Sequence, residues 1–363
     1  MKSVLHVITT IERGGAENQL LILVTRQIQL GYSVDILFLK GKPELKEDFE
    51  SIGAKVISDF SRMSFLAQIF RFRLYIENRY QIIHSHLPRA EILALTGLGK
   101  ARLIGTKHNS EPFMPGSLSP ISFALARTVF LLTDETICIS NAVRSYLVNI
   151  HELPSSSMKI SVILYGWPKL SLENSKGLKF PPYQLNDSIK IGTISRLSHQ
   201  KDLPTLLNAF AGFLQKYPGS VLEIVGAGPE ESKLRSLAAS LGIINNVHFL
   251  GRLDDVFAKL RDWNIFVLTS KYEGFGMVLL EAMQMKRPII AANNSSIPEV
   301  LGDDYPWLFS TGDVQGLIGQ LIKVCVNEIE FNFEEFSESR IYRFDDIEMA
   351  NAVNRIYFGK NAH

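Results

Sequence analysis

The sequence predicts an α/β protein built from two doubly wound parallel-sheet domains that face each other across a cleft. Three observations carry that expectation. Short β-branched runs alternate with longer segments of helical period along nearly the whole chain. The alternation breaks once, around residues 165–188. The chain has 363 residues, and single cores stop growing near roughly 250 residues.

The first half places strands at Val4–Thr9, Ser33–Leu39, Lys55–Ile57, Ile82–His84, Leu103–Thr106, Glu135–Ser140 and Ile160–Ile163, with helices in the gaps. The break contains Pro168, Gly177, Pro181 and Pro182 among polar residues without a sustained period, which reads as a linker. The pattern restarts at Ile189–Ser195. Asp202 is then expected to cap a helix whose first turn takes Pro204, where a missing N–H costs nothing. Further strands follow at Val221–Val225, Val247–Leu250, Ile265–Thr269 and Pro288–Ala292. The expected boundaries are a first domain at 1–170, a linker at 171–188, a second domain at 189–344 and a last helix within 345–363. No repeat of 20–50 residues is seen, so the ligand site is expected at the carboxyl ends of the strands.

Composition narrows the function classes. The chain is 46% hydrophobic and 21% charged with a formal net charge of +1, so it reads as globular and gives no general reason to expect nucleic acid. The halves differ slightly: residues 1–175 hold 19 Lys and Arg against 15 Asp and Glu, and the remainder holds 19 against 22. Two cysteines, Cys138 and Cys325, make neither a disulfide framework nor a zinc site. The opening apolar run is too short for a signal peptide, and Leu118–Thr133 is broken by Pro120 and Arg127. A cytoplasmic protein that does not cross a membrane is expected.

Two segments carry most of the chemistry. Glu273-Gly274-Phe275-Gly276 through Glu281 follows the strand Ile265–Thr269 and brackets a glycine pair with two carboxylates. The glycines admit close backbone approach, and a helix starting there aims its positive end at a ligand. Eight helical residues would separate the two carboxylates by about 12 Å, the reach of a sugar nucleotide. The second segment, Ser195-Arg196-Leu197-Ser198-His199-Gln200-Lys201-Asp202, sets two cations five residues apart after a strand, which suits a diphosphate gaining charge as it leaves. The plainer readings are a surface carboxylate pair and a solvated basic turn.

Other segments are weaker. Glu12-Arg13-Gly14-Gly15-Ala16-Glu17 can deliver backbone N–H groups to phosphate but lacks the end of a P-loop. Gly226-Ala227-Gly228-Pro229 lacks the third glycine of a dinucleotide fingerprint and reads as a turn. His84, His86 and His108 gather at strand ends, where histidines are usually structural, and no HExxH or Cys pairing turns them into a zinc site. No Asp-x-Asp occurs, so no carboxylate clamp for a metal is visible, and Arg196, Lys201 and helix ends would neutralise the charge.

Jointly these segments resemble glycosyltransferase family 4, over nearly the whole chain and best in its second half. The family's Gly-Gly-Ala-Glu turn matches Gly14–Glu17, its mid-domain histidine His108, its Arg and Lys pair Arg196 and Lys201, and its Glu-x7-Glu Glu273 and Glu281. The resemblance implies the GT-B fold of two Rossmann-like domains. It also implies a retaining, metal-independent transfer of a hexose-type sugar from a nucleotide diphosphate-sugar, UDP favoured, with no further cofactor. By that resemblance Gly14 and Gly15 with Arg196 and Lys201 hold the diphosphate, and Glu281 holds the ribose. Glu273 with the Phe275 and Gly276 amides grips the sugar, and His108 faces it from the first domain. The leaving phosphate would deprotonate the acceptor, without a protein nucleophile. One departure stands out: Tyr165-Gly166-Trp167-Pro168 occurs where the family often has Asn-Gly, so the hinge or acceptor side would differ.

The acceptor is expected to be a glycan or a lipid-linked saccharide in cell-surface glycan synthesis. Residues 51–133 hold ten Lys and Arg against four acids, and Arg62–Tyr75 mixes arginines with large apolar side chains at helical spacing. That mixture suits peripheral contact with an anionic membrane surface. The plainer reading turns Phe65, Ile69 and Phe72 into the core. Competing functions are a sugar-nucleotide epimerase or phosphorylase on the same plan, an NAD-dependent oxidoreductase, and a non-catalytic sugar-nucleotide-binding subunit.

Overall fold

The computed structural model describes residues 2–77, 79–114, 119–168, 188–253, 255–329 and 331–359; of the expected linker at 171–188, only Ser188 falls among them. The chain divides into two compact units, Met1–Pro168 with Phe344–His363, and Lys169–Arg343.

Unit 1 is built on seven strands, β1 (Ser3–Ile8), β2 (Ser33–Phe38), β3 (Lys55–Ile57), β4 (Ile82–His86), β5 (Arg102–Lys107), β6 (Glu135–Cys138) and β7 (Ile160–Val162). They pair in parallel in the order β3-β2-β1-β4-β5-β6-β7. The order reverses between β1 and β4, the switch point where doubly wound sheets open a crevice. Strand periodicity sends alternate residues to opposite faces. Leu5, Val7 and Ile83 join Phe72 and Leu93 on one face, while Val4, Ile8, Ile82 and Ile104 join Leu20, Leu23, Met349 and Val353 on the other. That second face is covered by the helix Gly15–Gln29 and the last helix, Asp346–Phe358.

The last helix is fastened by more than apolar packing. The Arg26 guanidinium forks onto Asp346 at 2.7 and 3.0 Å. The chain leaves and re-enters unit 1 along adjacent paths, with the Trp167 amide donating to the Phe344 carbonyl at 2.6 Å. A Cβ on Gly166 would lie 2.6 Å from the Asp346 Cα, so this close approach requires a residue without a side chain.

Unit 2 holds β8 (Lys190–Ile194), β9 (Val221–Val225), β10 (Val247–Gly251), β11 (Ile265–Leu268), β12 (Ile289–Ala292) and β13 (Leu308–Phe309). Its parallel order is β10-β9-β8-β11-β12-β13, with the switch point between β8 and β11. Gly192 on β8 faces Trp263 so closely that a Cβ would meet the indole at 1.9 Å. Trp263 is fully buried and donates from Nε1 to Glu223 at 2.9 Å, so its one polar atom is satisfied.

The structure adds one strand that the sequence pattern does not mark and corrects one expectation. Strand β13 has only two residues and follows Asp303-Asp304-Tyr305-Pro306-Trp307, too little apolar alternation to register as a strand. Asp202 stands at the start of the helix Leu203–Leu214 in the left-handed region, and its carboxylate accepts from the Thr205 hydroxyl at 2.8 Å instead of capping a backbone N–H.

Candidate functional site

In unit 2 the loops after the two switch-point strands carry the expected charged residues. The segment after β8 is held against the segment after β9 by backbone bonds: Ser195 N–H donates to Val225 at 3.0 Å and Leu197 N–H to Ala227 at 3.0 Å. Gly226 and Gly228 permit this contact, because a Cβ on either would strike the Ser195 or Leu197 carbonyl at 1.9 or 2.3 Å. The Gly-Ala-Gly-Pro turn therefore seats the arginine loop, a role its reading as a plain turn missed. Arg196 projects from that loop exposed, and its guanidinium makes no hydrogen bond or ion pair among the described residues.

Lys201 reaches the neighbouring loop. Its ammonium lies 2.6 Å from Glu273 Oε1, with both side chains largely buried. Glu273 is fixed from three more sides. The Ser270 hydroxyl donates to the same oxygen at 2.6 Å, the Glu273 N–H donates to Ser295 Oγ at 2.8 Å, and the Ser296 hydroxyl donates to the Glu273 carbonyl at 3.1 Å. Thr269 Oγ1 bonds the Lys201 carbonyl and Gln200 Nε2 the Tyr272 carbonyl, so the two loops form one unit.

The helix after Glu273 starts at Met277, with Gly276 before it at φ 86°. Glu273 thus lies in the loop, and the 273–281 segment is helical only in its second half, a correction to the eight-residue helix the spacing suggested. Phe275 is buried under the turn. Glu281 is partly exposed, its carboxyl makes no hydrogen bond among the described residues, and desolvation lifts it to about 7.

In unit 1, Gly14 precedes the helix Gly15–Gln29 in extended conformation and Gly15 is exposed at its first position. Glu17 turns back beneath the glycines, accepts from Thr10 Oγ1 at 2.7 Å, and is raised above the usual carboxylate range by burial.

His108 is buried just after β5, and both its ring nitrogens are engaged within unit 1, by His86 at 3.0 Å and by the Tyr165 hydroxyl at 2.5 Å. His6, which the sequence reading passed over inside an apolar strand, joins the same network. Strand register explains it: His6 pairs with His84, Ile8 with His86 and His86 with Thr106, so period two gathers these side chains on one face. His6, His84 and His86 lie close enough to share an ion, but their nitrogens are occupied by one another, Gln27, Tyr357, Thr106 and His108.

Comparison with known proteins decides the family. The model of Glycosyltransferase Family 4 matches residues 13–166, and that of Glycosyl transferases group 1 matches residues 177–338. The chain belongs to glycosyltransferase family 4. Its activity is glycosyl transfer, and its fold is GT-B. The enzyme is 28% identical to the N-acetyl-alpha-D-glucosaminyl L-malate synthase of Bacillus anthracis, over 76% of this chain and 74% of that one. It is 25% identical to the phosphatidyl-myo-inositol mannosyltransferase of Mycobacterium leprae, over 78% of this chain and 75% of that one. Among solved structures, that of Anabaena Alr3699/HepE in complex with UDP and glucose shares the fold with a TM-score of 0.77, at 20% identity and covering 98% and 99% of the two chains.

Proposed function

We propose that this family 4 enzyme transfers a hexose-type sugar with retention from a nucleotide diphosphate-sugar, UDP favoured, to a glycan or lipid-linked acceptor, and that it does so without a metal. One observation carries the reading: on the loops after the switch-point strands of unit 2, Lys201 and Glu273 are locked together at 2.6 Å, while the Arg196 guanidinium and the Glu281 carboxyl make no hydrogen bond or ion pair among the described residues. An ammonium has three donors; one goes to Glu273, which leaves two for phosphate oxygens. Arg196 adds a planar fork for the same diphosphate. Glu281, once ionised, can accept from two adjacent ribose hydroxyls, and Glu273 is the proposed grip on the sugar. Gly14, Gly15 and the Phe275 and Gly276 amides complete the reading as backbone donors, with His108 beside the sugar. As the glycosidic bond to phosphate breaks, charge grows on the diphosphate that the two cations are proposed to hold, the arrangement that gives preorganised sites most of their effect. The leaving phosphate takes the acceptor proton.

Thermal unfolding in the presence of UDP, GDP and ADP tests the donor assignment, because a ligand in excess of its dissociation constant raises apparent stability. UDP should give the largest shift. Product anomeric configuration read by NMR tests retention, and full turnover in EDTA tests metal independence; an inverted product or a loss in EDTA restored by magnesium would contradict the reading.

A bilayer surface is the proposed location. In the helix Phe65–Tyr75, Phe72 is buried and Phe65 and Ile69 pack on the core, as the plainer reading has it. The opposite face still presents Leu66, Phe70 and Leu74 at 69%, 75% and 74% exposure, four residues apart. Arg71 is tied to Asp59 at 3.0 Å yet stays exposed, as do Arg62 and Arg73. Exposed apolar and cationic side chains together suit an anionic lipid surface. No described helix is long and apolar enough to cross a membrane. Sedimentation with vesicles containing anionic lipid tests the contact: binding should fall as salt rises, and absence of binding at low salt would overturn it.

A further inference from the structure

The histidines of unit 1 form a continuous chain whose proton positions follow from one amide. Gln27 Nε2 donates to the Tyr357 hydroxyl at 3.2 Å, which leaves Gln27 Oε1 facing His6 Nε2 at 2.8 Å. An amide oxygen only accepts, so His6 carries its proton on Nε2. Burial keeps the ring neutral, lowering its pKa to about 4, so Nδ1 is bare and must accept. The atom facing it at 3.0 Å is His86 Nε2, which therefore holds a proton, and neutral His86 must accept at Nδ1. His108 Nε2 lies 3.0 Å from that nitrogen and donates to it, which leaves His108 Nδ1 to accept from the Tyr165 hydroxyl.

The second branch agrees. Tyr357, having accepted from Gln27, donates to His84 Nδ1 at 2.6 Å, and neutral His84 donates from Nε2 to Thr106 Oγ1 at 2.6 Å. All four histidines are thus Nε2–H tautomers. A change at one ring alone would set two protons, or two bare nitrogens, against each other in a buried layer, where an orphaned polar group loses its solvation without compensation. The alternative that satisfies every atom reverses all of them together and needs the Gln27 amide turned over.

We propose that this chain is a tautomer lock on His108, set by Gln27 and by Tyr357 of the last helix, and that Gln27, His6, His86 and Tyr165 are positioning residues for glycosyl transfer. The proposal rests on the reading that His108 borders the transferred sugar. Its ring nitrogens are spent inside unit 1, so what the lock delivers is a fixed ring plane and a fixed backbone just beyond β5. Partners that orient a functional imidazole are worth about 10–100-fold where they have been removed from metal sites.

The test uses the full chain with ring-¹⁵N histidine and long-range proton–nitrogen correlation, alongside steady-state kinetics. The wild type should show His6, His84, His86 and His108 as neutral Nε2–H tautomers from pH 8 to pH 5.5. Gln27→Met should leave His108 in a mixture of tautomers and lower kcat about tenfold while the donor KM changes by less than about twofold. Should that variant fail to fold, Tyr165→Phe applies the same test from the other end of the chain. A wild-type His108 that titrates near neutral pH or carries its proton on Nδ1 overturns the lock, as does a tautomer mixture with unchanged kcat. His108→Ala separates the two readings. Full turnover there removes the placement of His108 on which the proposal rests, whereas loss of turnover there with unchanged kcat in Gln27→Met overturns the lock alone.

Discussion

The two sheets share one topology, yet their polar residues are used in opposite ways. Around the switch point of unit 2 the groups are ionisable and partly unspent: among the described residues the exposed Arg196 guanidinium and the Glu281 carboxyl make no hydrogen bond or ion pair, and Lys201 keeps donors beyond its bond to Glu273. On the covered face of unit 1 the groups are neutral, buried and spent on one another, from Gln27 through His6, His86 and His108 to Tyr165. Unsatisfied charge at the edge of a crevice is kept for a ligand, whereas a closed chain of neutral donors and acceptors holds a fixed geometry. Variants in the two regions should therefore fail differently.

The largest expected effect is in unit 2. Arg196→Ala removes an exposed side chain whose guanidinium makes no hydrogen bond or ion pair among the described residues, so the melting temperature should stay within a degree or so of wild type. Turnover should fall by about 100-fold, the scale of one preorganised contact at a developing anion, about 3 kcal/mol. Turnover within twofold of wild type would break the contrast at its stronger end. In unit 1 the order of effects reverses. His86→Leu orphans His6 Nδ1 and His108 Nε2, and urea unfolding should show a loss of about 2 kcal/mol with nucleotide binding unchanged.

Acid separates the two sets of groups, because the unit 1 histidines and Glu281 of unit 2 carry shifts of opposite sign. His6 and His108 are lowered from 6.5 to about 4 and about 3 by burial. The unfolded chain binds more protons between those values and 6.5, so this contribution to stability is full above 6.5 and is lost as pH falls toward 3. Glu281 is raised from 4.5 to about 7. Here the folded chain binds more protons, so the contribution is present below 4.5 and lost as pH rises through 7. Glu281→Gln should flatten the second slope, to which Glu17 and Glu152, raised by burial, also contribute, and leave the first, as read from denaturant midpoints across pH. The smallest effect belongs to the exposed stripe: Phe70→Ser should weaken vesicle binding by about 2 kcal/mol or less and leave turnover on a soluble acceptor alone.

Much of this was legible in the sequence where local pattern decides. Lys55–Ile57 and Val221–Val225 form strands over the residues that β-branched patterning marks, and most other strand ends fall within a residue or two. The segment at 273–281 was legible as a loop-to-helix turn but not in its geometry, because the αL conformation of Gly276 delays the helix to Met277. Gly226 and Gly228 read as a turn because nothing local shows that Ser195 and Leu197 press against them. His6 was hidden for the same reason. A lone histidine in an apolar strand gains meaning only when register sets it beside His84 and the helices bring Gln27 and Tyr357 over it. Contacts between residues tens to hundreds of positions apart leave no periodicity to read.

The proposed nucleotide contacts of Arg196, Lys201 and Glu281 in unit 2 are tested by isothermal titration of UDP into the wild type, Arg196→Ala, Glu281→Gln and His86→Gln at pH 8. Each of the two unit 2 variants should lose at least about tenfold in affinity, about 1.4 kcal/mol, and His86→Gln should bind as the wild type does. Equal affinity in all four proteins, or a loss confined to His86→Gln, would contradict those contacts.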